Sequence, residues 1–187
     1  MSMRITAGKA GGLRLSSFPA KIIRPTRDIV REAVFNSIGE KIIGTSFLDL
    51  FSGTGGVGIE ALSRGAEKAV FIEKNVKALS VIKKNLKITG LESNAVILCD
   101  DYERVLKKLN KGKSAFDIIY CDPPYASDYH DKCLSEAGNG TLLSADGLFV
   151  LETFKKNSFP EKAGQLQLAR EKLYGETRIL YYRQINS

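Results

Sequence analysis

The amino-acid sequence predicts an α/β protein built on a doubly wound, mostly parallel sheet. From residue 46 onward, short apolar runs alternate with segments whose apolar residues recur at helical spacing, which is the pattern of parallel strands joined by helices. The chain has 187 residues, 43% of them hydrophobic and 26% charged, so we expect one main domain with a small extension. We place the extension, a small β-hairpin and a helix, at residues 1–45 and the main domain at residues 46–187.

The extension begins with a weakly alternating stretch that contains several glycines. Arg4–Ala7 and Leu13–Phe18 predict the two arms of a small hairpin joined by a Gly-rich turn. Thr26 is a favourable N-cap for the helix that follows, and Asp28 suits its first turn. The apolar face expected for this helix consists of Ile29, Val30, Ala33, Val34 and Ile38, with Phe35 close to it.

The main domain is predicted to contain five parallel strands connected by helices. The strands are Phe47–Phe51, Ala69–Glu73, Ala95–Cys99, Phe116–Cys121 and Gly147–Glu152. The helices between them are Val57–Arg64, Asn75–Thr89, Asp101–Leu109 and a polar one around residues 128–138. After the fifth strand, Leu166–Leu173 and Thr177–Arg183 flank a Gly-containing turn, which predicts a C-terminal antiparallel hairpin.

Composition narrows the possible chemistry. No apolar run approaches the roughly 18 residues of a membrane span, and the first residues contain no apolar signal-peptide core. The three cysteines, Cys99, Cys121 and Cys133, form no C-x-x-C motif, so we expect free thiols in a reducing cytoplasm, the first two of them in the core. The single histidine, His130, argues against a His-based metal cluster or proton relay, and we expect no metal site.

The positive charge is concentrated near the beginning of the chain. Residues 1–31 carry seven basic side chains against Asp28 alone, which accounts for +6 of the net charge of +7. A basic extension on a nearly neutral domain is typical of a surface that binds a polyanion. The alternatives are a solubilising tail and, for Arg31, an ion pair with Asp28 or Glu32. The predicted phosphate-contacting residues are Lys9, Arg14, Arg24, Arg27 and Arg31.

A glycine-rich loop follows the first predicted strand of the main domain. Gly53, Gly55 and Gly58 satisfy G-x-G-x-x-G, and Glu73 lies 20 residues after Gly53 at the end of the second strand. This Rossmann-like arrangement fits a nucleotide cofactor, because glycines let the backbone approach the ligand and the acid can bind ribose hydroxyls.

The acids at the strand ends favour S-adenosylmethionine over a nicotinamide dinucleotide. Asp49, at the end of the first strand, would repel a pyrophosphate but could bind an ammonium group, directly or through water. Asp101, after the third strand, could accept a hydrogen bond from the adenine amino group, and Asp100 is the alternative. The predicted cofactor-binding residues of the loop and the strand ends are Asp49, Phe51, Gly53, Thr54, Gly55, Gly58, Glu73, Lys74, Asp101 and Tyr102.

The fourth predicted strand is followed by Asp122-Pro123-Pro124-Tyr125. Each proline fixes its own φ and favours an extended conformation in the residue before it, so the stretch forms a rigid ledge. The Asp122 carboxylate and the Pro123 carbonyl could accept the two N–H bonds of a planar amino group, while Tyr125 stacks on the ring that carries it. The alternative is an ordinary proline-rich turn.

These motifs together resemble a class I S-adenosylmethionine-dependent methyltransferase that methylates amino groups. The segment Arg24-Pro25-Thr26-x-Asp28-x-Val30-Arg31-Glu32, with Phe35-Asn36, Gly8-Lys9 and Leu13, is similar to the RsmD family. This resemblance covers nearly the whole chain and implies methylation of the exocyclic N2 of a guanine in small-subunit (16S) ribosomal RNA. It also implies catalytic roles for Asp122, Pro123, Pro124 and Tyr125. The resemblance further implies that the segment 24–31 closes over the cofactor, with Thr26 as a cofactor-binding residue, and that a monomer acts on the small subunit or its assembly intermediate.

Three alternatives use the same motifs. A DNA amino-methyltransferase is disfavoured because no segment is long enough for a target-recognition domain. Methylation of a protein glutamine amide usually goes with Asn at the first ledge position, where this chain has Asp122. A non-enzymatic nucleotide-binding module with a basic extension is the third alternative.

Overall fold

The computed structural model describes four stretches of the chain. They are residues 3–17, 25–112, 115–124 and 128–185, with the backbone alone described at positions 25–27. The chain forms two compact units, Met1–Tyr102 and Glu103–Ser187, which we call the first and the second unit. The boundary predicted after residue 45 stays a prediction.

Three parallel strands and their connecting helices make up most of the first unit. Its helices are α1 (Pro25–Ile38), α2 (Gly56–Ser63) and α3 (Val76–Thr89), and its strands are β1 (Ser46–Asp49), β2 (Lys68–Ile72) and β3 (Ala95–Leu98). β2 lies between the other two strands, with Leu48 opposite Val70 and Val70 opposite Val96. Short 3-10 helices at Gly39–Ile42 and Glu92–Asn94 follow α1 and precede β3.

Helix α3 shows how local sequence fixes the ends of an element. The Asn75 side chain accepts hydrogen bonds from the backbone N–H groups of Lys77 (2.9 Å) and Ala78 (3.4 Å), an N-cap typically worth about 1 kcal/mol. Gly90 ends the helix in the left-handed region at φ 68°, which glycine adopts without strain. The buried apolar residues of α3 are Ala78, Leu79, Ile82 and Leu86.

The N-terminal segment, residues 3–17, folds back on itself as the sequence predicts, but only one β-bridge forms. This bridge joins Arg4 and Arg14, and the Ile5 N–H donates to the Leu13 carbonyl at 3.0 Å. Toward the turn, Gly8, Gly11 and Gly12 weaken further pairing, because glycine has no side chain to pack on a strand. Ile5 and Leu15 are buried and anchor the segment in the first unit.

A buried carboxylate on α2, Glu60, holds the N-terminal segment in place. It accepts hydrogen bonds from the backbone N–H groups of Thr6 (2.9 Å) and Ala7 (3.1 Å) and from the Thr6 hydroxyl (2.5 Å). Arg64 Nε lies 2.7 Å and Arg31 Nε 3.5 Å from its oxygens. Glu60 has no solvent exposure, so these partners replace the water that its charge would otherwise require.

The turn of the N-terminal segment packs directly on the end of α2. A Cβ at Gly8, whose φ is +82°, would lie 1.9 Å from the Ser63 carbonyl oxygen. The Lys9 N–H donates to that carbonyl at 2.8 Å. The Ser63 hydroxyl accepts from the Ala10 N–H and donates to the Ala7 carbonyl. Glycine is therefore required at position 8 for both its conformation and its size.

The second unit combines parallel and antiparallel strands. Its elements are α4 (Tyr102–Lys111), which begins at the boundary, β4 (Phe116–Cys121), α5 (Tyr129–Asn139), β5 (Leu143–Phe154), β6 (Lys162–Ala163), β7 (Leu166–Tyr174) and β8 (Thr177–Gln184). β4 and β5 are parallel, whereas β8 pairs antiparallel with both β5 and β7, and β6 adds a two-residue edge to β7. The predicted α/β class, with parallel strands and a C-terminal antiparallel hairpin, is confirmed.

Two predictions about α1 are wrong. The helix begins at Pro25, so Thr26 lies within it and is not its N-cap. Proline suits the first helical position because the N–H that it lacks would have no intrahelical partner there. Ile29, assigned to the apolar face, is 61% exposed, whereas Phe35, expected close to that face, is buried.

Strand β5 begins four residues earlier than predicted. Leu143 lies opposite Phe116, and the Ser144 hydroxyl donates to the Asp117 carboxylate at 3.0 Å. Polar residues interrupt the apolar pattern in this part of the strand, so the pattern alone did not reveal it. Cys99 is also corrected from buried to exposed, because it lies just past β3, a strand that is itself only partly buried.

In the described part of the chain, no helix has both the length and the apolar character needed to cross a membrane.

Candidate functional site

In the first unit, the carboxyl end of β1 leads into the glycine-rich loop. The loop turns sharply, with the Gly55 N–H donating to the Ser52 carbonyl at 2.7 Å and the Ser52 hydroxyl donating to the Asp49 carbonyl at 3.0 Å. Gly53 and Gly55 have φ values of +54° and +82°. Residues with side chains rarely adopt this region, so the glycines are required by the turn itself.

The third glycine of the motif permits close packing of α2 on β2. A Cβ at Gly58 would lie 2.3 Å from the ring of Phe71, which is fully buried. A side chain at this position would therefore push the helix away from the strand and displace the loop before it. Close packing of helix on strand is the usual role of the third glycine in Rossmann-like motifs, and contact of Gly58 with a cofactor stays a prediction.

Asp49 is buried at the end of β1, directly beneath this loop. Its carboxylate accepts a hydrogen bond from the Gly58 N–H at 3.1 Å. Burial raises the pKa of Asp49 from 3.8 to about 7, since the hydrogen bond offsets only part of the desolvation and the Glu73 charge adds to the rise. The folded state therefore binds a proton more tightly than the unfolded chain, and Asp49 contributes less to stability as the pH rises from about 4 to about 7.

Glu73, which directly follows β2, forms a hydrogen bond to the glycine-rich loop. One carboxylate oxygen accepts from the Gly53 N–H at 2.9 Å, and the other accepts from the Asn75 N–H at 2.8 Å. Each carboxylate oxygen has two lone pairs, so these two bonds leave acceptor capacity for hydroxyl groups of a ligand. The predicted ribose-binding acid is thus placed against the glycine loop.

The residues that follow β3 form a second cluster of polar and aromatic groups. The Asp100 carboxylate accepts from the Asp101 N–H at 2.8 Å, while the Asp101 carboxylate lies 3.9 Å from the Lys74 ammonium group. The rings of Phe51 and Tyr102 contact each other, with centroids 5.0 Å apart. The partly exposed Phe51 ring offers an aromatic contact, and Asp100 and Asp101 offer hydrogen-bond acceptors, which are the groups that an adenine ring requires.

A buried amide that sequence reasoning missed connects the loop to the N-terminal segment. Asn85 on α3 donates to the Thr54 carbonyl (2.9 Å) and the Ser16 carbonyl (3.0 Å), and accepts from the Ser16 N–H (2.7 Å). Its side chain has no solvent exposure. The available signal was a polar residue on the buried face of α3, between Ile82 and Leu86.

The ledge lies in the second unit. Asp122, Pro123 and Pro124 directly follow β4, with Asp122 partly buried, Pro123 buried and Pro124 exposed. Tyr125 lies outside the described residues, as do the side chain of Thr26 and, from the basic extension, Arg24 and the side chain of Arg27. The predicted position of Asp122 and both prolines at the carboxyl end of a strand is therefore observed. Their catalytic roles stay predictions.

The predicted phosphate contacts divide into accessible and buried residues. Lys9 and Arg14 are exposed on the N-terminal segment. Arg31 is buried, with 5% exposure, and does not fit a phosphate-binding role. Its guanidinium pairs with Asp28 at 3.1 Å and donates to the Arg4 carbonyl at 2.5 Å. An ion pair with Asp28 is one of the alternatives that the sequence offers to a phosphate contact. The structure contains this ion pair, and we interpret Arg31 as a structural residue.

Among the described residues, no group of three or more His, Cys, Asp and Glu side chains could hold a metal ion.

Comparison with known proteins identifies relatives along nearly the full length. The family model described as "Conserved hypothetical protein 95" matches residues 3–183. YlbH of Bacillus subtilis (strain 168) is 37% identical over 181 residues, covering 97% of this chain and 98% of that protein. Ribosomal RNA small subunit methyltransferase D of Escherichia coli (strain K12) is 30% identical over 180 residues, with coverage of 96% and 89%. The solved structure of yhhF from Escherichia coli has a TM-score of 0.87 at 27% identity and covers both chains completely.

Proposed function

We propose a function for this chain on the premise that it belongs to the family described as conserved hypothetical protein 95. The proposed reaction transfers a methyl group from S-adenosylmethionine to the exocyclic N2 of a guanine in small-subunit (16S) ribosomal RNA. The resemblance to the RsmD family is confirmed by the family model and by the relatives. The observation that carries the proposed chemistry is the carboxylate of Asp122, which is partly buried and followed by two prolines at the end of β4.

The first unit supplies groups that fit S-adenosylmethionine. Glu73 has acceptor capacity for ribose hydroxyls, and Asp49 is a buried acid that could pair with the amino-acid ammonium group. Asp101 or Asp100 would accept from the adenine amino group, next to the ring of Phe51. When bound, S-adenosylmethionine supplies an electrophilic methyl group.

The second unit would bind the base. The Asp122 carboxylate and the Pro123 carbonyl would accept the two N–H bonds of the guanine amine and so direct its nitrogen lone pair at the methyl group. The nitrogen becomes cationic as it is methylated, and Asp122 would stabilise that charge and take the proton. Tyr125 would stack on the base, which must leave its own stack to be reached.

The product of the reaction tests this proposal most directly. Small ribosomal subunits that lack their native guanine-N2 methylation would be incubated with S-adenosylmethionine carrying a labelled methyl group, then digested with nuclease. We expect labelled N2-methylguanosine, and mass spectrometry of larger fragments would locate the nucleotide. Labelled N6-methyladenosine or methylated protein would contradict the proposal, and transfer to duplex DNA would favour a DNA enzyme.

The burial of Asp49 predicts that cofactor binding depends on pH. Its pKa of about 7 means that much of the free protein carries a neutral Asp49 at lower pH, whereas the cofactor ammonium requires the carboxylate. Binding should therefore release a proton, and the dissociation constant should fall by up to about tenfold per pH unit as the pH rises from about 5.5 to 7. Calorimetry in buffers of different ionisation enthalpy measures both the number of protons released and the dissociation constant. Asp49→Asn should bind weakly and without this slope, and an unchanged slope in that variant would rule out Asp49 as the source.

RNA contact is supported by a surface that the sequence analysis did not single out. The solvent-facing side of α3 carries four exposed lysines and the helix contains no acidic residue; the lysines are Lys77, Lys83, Lys84 and Lys87. Like charges spaced three or four residues apart on a helix repel one another, and a bound polyanion relieves that repulsion. We propose that this face and the exposed Lys9 and Arg14 contact RNA phosphates.

Charge reversal tests this surface. The double variant Lys83→Glu/Lys87→Glu should weaken RNA binding and lower the slope of log K against log salt by about 1 to 2, because two phosphate contacts are lost. Filter binding across a salt series measures both the affinity for RNA and its dependence on salt. The matched control is Lys156→Glu/Lys162→Glu, which makes the same charge change at exposed positions of the second unit. Equal effects from the two variants would indicate an effect of net charge alone.

We propose further that the substrate is RNA within a small ribosomal subunit or its assembly intermediate, and that the chain acts on it in the cytoplasm as a monomer. The support is the resemblance to the RsmD family. Analytical ultracentrifugation with and without subunits measures the stoichiometry, and a stable dimer would contradict the monomer.

A further inference from the structure

A buried acid beside the ledge has no role in the reaction described so far. Glu152 lies near the end of β5, is 8% exposed, and accepts a hydrogen bond from the hydroxyl of Tyr120 on β4. We propose that Glu152 recognises the target base by accepting the N1–H of guanine while Asp122 holds the N2 amine. This inference rests on the proposed function and names the residue that would select guanine.

The register of the two parallel strands places Glu152 level with the ledge. Tyr120 lies opposite Val150, and Cys121 lies opposite Leu151. The next residue of each strand is Asp122 on one side and Glu152 on the other. Neighbouring strands lie about 4.8 Å apart, so two residues at the same level are within reach of one small ligand.

The side chains also point to the same side of the sheet. Successive residues of a strand alternate between faces, so Asp122 shares a face with Tyr120 as long as the backbone stays extended. Pro123 favours that extension, because a proline disfavours helical geometry in the residue before it. The contact between the Tyr120 hydroxyl and the Glu152 carboxylate shows that Glu152 lies on this face as well.

The Watson–Crick edge of guanine matches two neighbouring carboxylates. It presents adjacent donors, N1–H and the N2 amine, and a carboxylate at neutral pH is purely an acceptor. Adenine instead presents an N1 acceptor, which would face the Glu152 oxygen without a proton between them. A buried site that hydrogen-bonds an N–H group rejects analogues that lack it far more strongly than an apolar site could. Tyr120 would act as a positioning residue that fixes the orientation of the carboxylate.

The test uses a base that differs from guanine at this contact. 2-Aminopurine keeps the 2-amino group but has an unprotonated N1. Once product analysis has located the modified nucleotide, small-subunit RNA with guanine or 2-aminopurine at that position is assembled into subunits, and kcat/KM is measured for each. We expect the wild type to prefer guanine by about 100-fold or more.

The variant Glu152→Gln should reverse part of this preference. Its side-chain amide can donate an N–H to the N1 of 2-aminopurine, so the ratio of the two kcat/KM values should narrow by about tenfold or more. The affinity for S-adenosylmethionine should stay unchanged, since the substitution affects the base and not the cofactor. Unchanged discrimination in a folded Glu152→Gln protein would overturn the proposal, because a purely structural acid would not alter the choice between the two bases.

A second variant keeps the proposal open to disproof if the first does not fold. Tyr120→Phe removes only the hydroxyl and leaves the carboxylate in place, so we expect a smaller loss of discrimination. If Tyr120→Phe folds and discriminates as the wild type does while Glu152→Gln fails to fold, Glu152 is structural and the proposal fails. The wild type is assayed first, and if it transfers no methyl group to guanine, the proposed function itself fails and not merely this base contact.

Discussion

Replacing Asp122 with alanine will lower the rate of methyl transfer about 10²- to 10³-fold while leaving the affinity for S-adenosylmethionine unchanged. The carboxylate has two tasks in the proposed reaction: it orients the amine, and it stabilises the positive charge that develops on the nitrogen. Alanine removes both. Single-turnover measurements with saturating RNA would separate this loss from any change in RNA binding.

A graded series sharpens the test of Asp122. Asp122→Asn keeps a hydrogen-bond acceptor but removes the charge, so its rate should lie between those of the wild type and the alanine variant. Asp128→Ala serves as the matched control, because Asp128 is an exposed aspartate of the same unit, just before α5. If Asp122→Ala retains transfer within about threefold of the control, the charge of Asp122 does not contribute to the chemistry.

The variant Glu60→Gln will lose about 3–5 kcal/mol of the free energy of unfolding, the cost of removing one partner of a buried charge pair. The glutamine amide cannot accept on both of its polar atoms, so at least one of the backbone donors of Thr6 and Ala7 loses its partner. The Arg64 guanidinium would stay largely buried without the carboxylate that it pairs with, and Arg31 would keep only its ion pair with Asp28. Urea denaturation monitored by circular dichroism measures the change.

Glu67→Gln makes the same substitution in the first unit and is the control for Glu60→Gln. Glu67 is exposed, so a change of less than about 0.5 kcal/mol is expected there. The Glu60 variant should also be cut faster by trypsin at Lys9 and Arg14, because its N-terminal segment is less firmly held. Equal unfolding midpoints for the two variants would contradict the role given to Glu60.

The fold was predictable wherever a local pattern determines it. The spacing of Leu79, Ile82 and Leu86 identified α3, and the run that forms β4 was predicted with its observed ends. The beginning of β5 was not predictable in this way, because Ser144 interrupts the apolar pattern and pairs through its side chain with a distant strand. Tertiary contact, and not local preference, determines the strand there.

In the candidate site, too, only the features that depend on local sequence were predictable. The glycine motif and the position of Asp122 after β4 follow from local sequence. Glu60, Asn85 and Glu152 were missed because Thr6, Ser16 and Tyr120, which hydrogen-bond to them, lie far away along the chain, and no spacing rule connects such residues. Arg31 was assigned to the surface for the same reason, since its buried partner Glu60 is 29 residues away.

The contacts of Asn85 make the N-terminal segment and the glycine loop energetically interdependent. One buried amide bonds both Ser16 and Thr54, so detachment of the segment leaves the loop less constrained. By thermodynamic reciprocity, a ligand that orders the loop must favour docking of the segment by the same factor by which docking favours the ligand. Cofactor occupancy would thereby affect the basic residues Lys9 and Arg14, and the N-terminal segment that carries them would be held most firmly when the cofactor is bound.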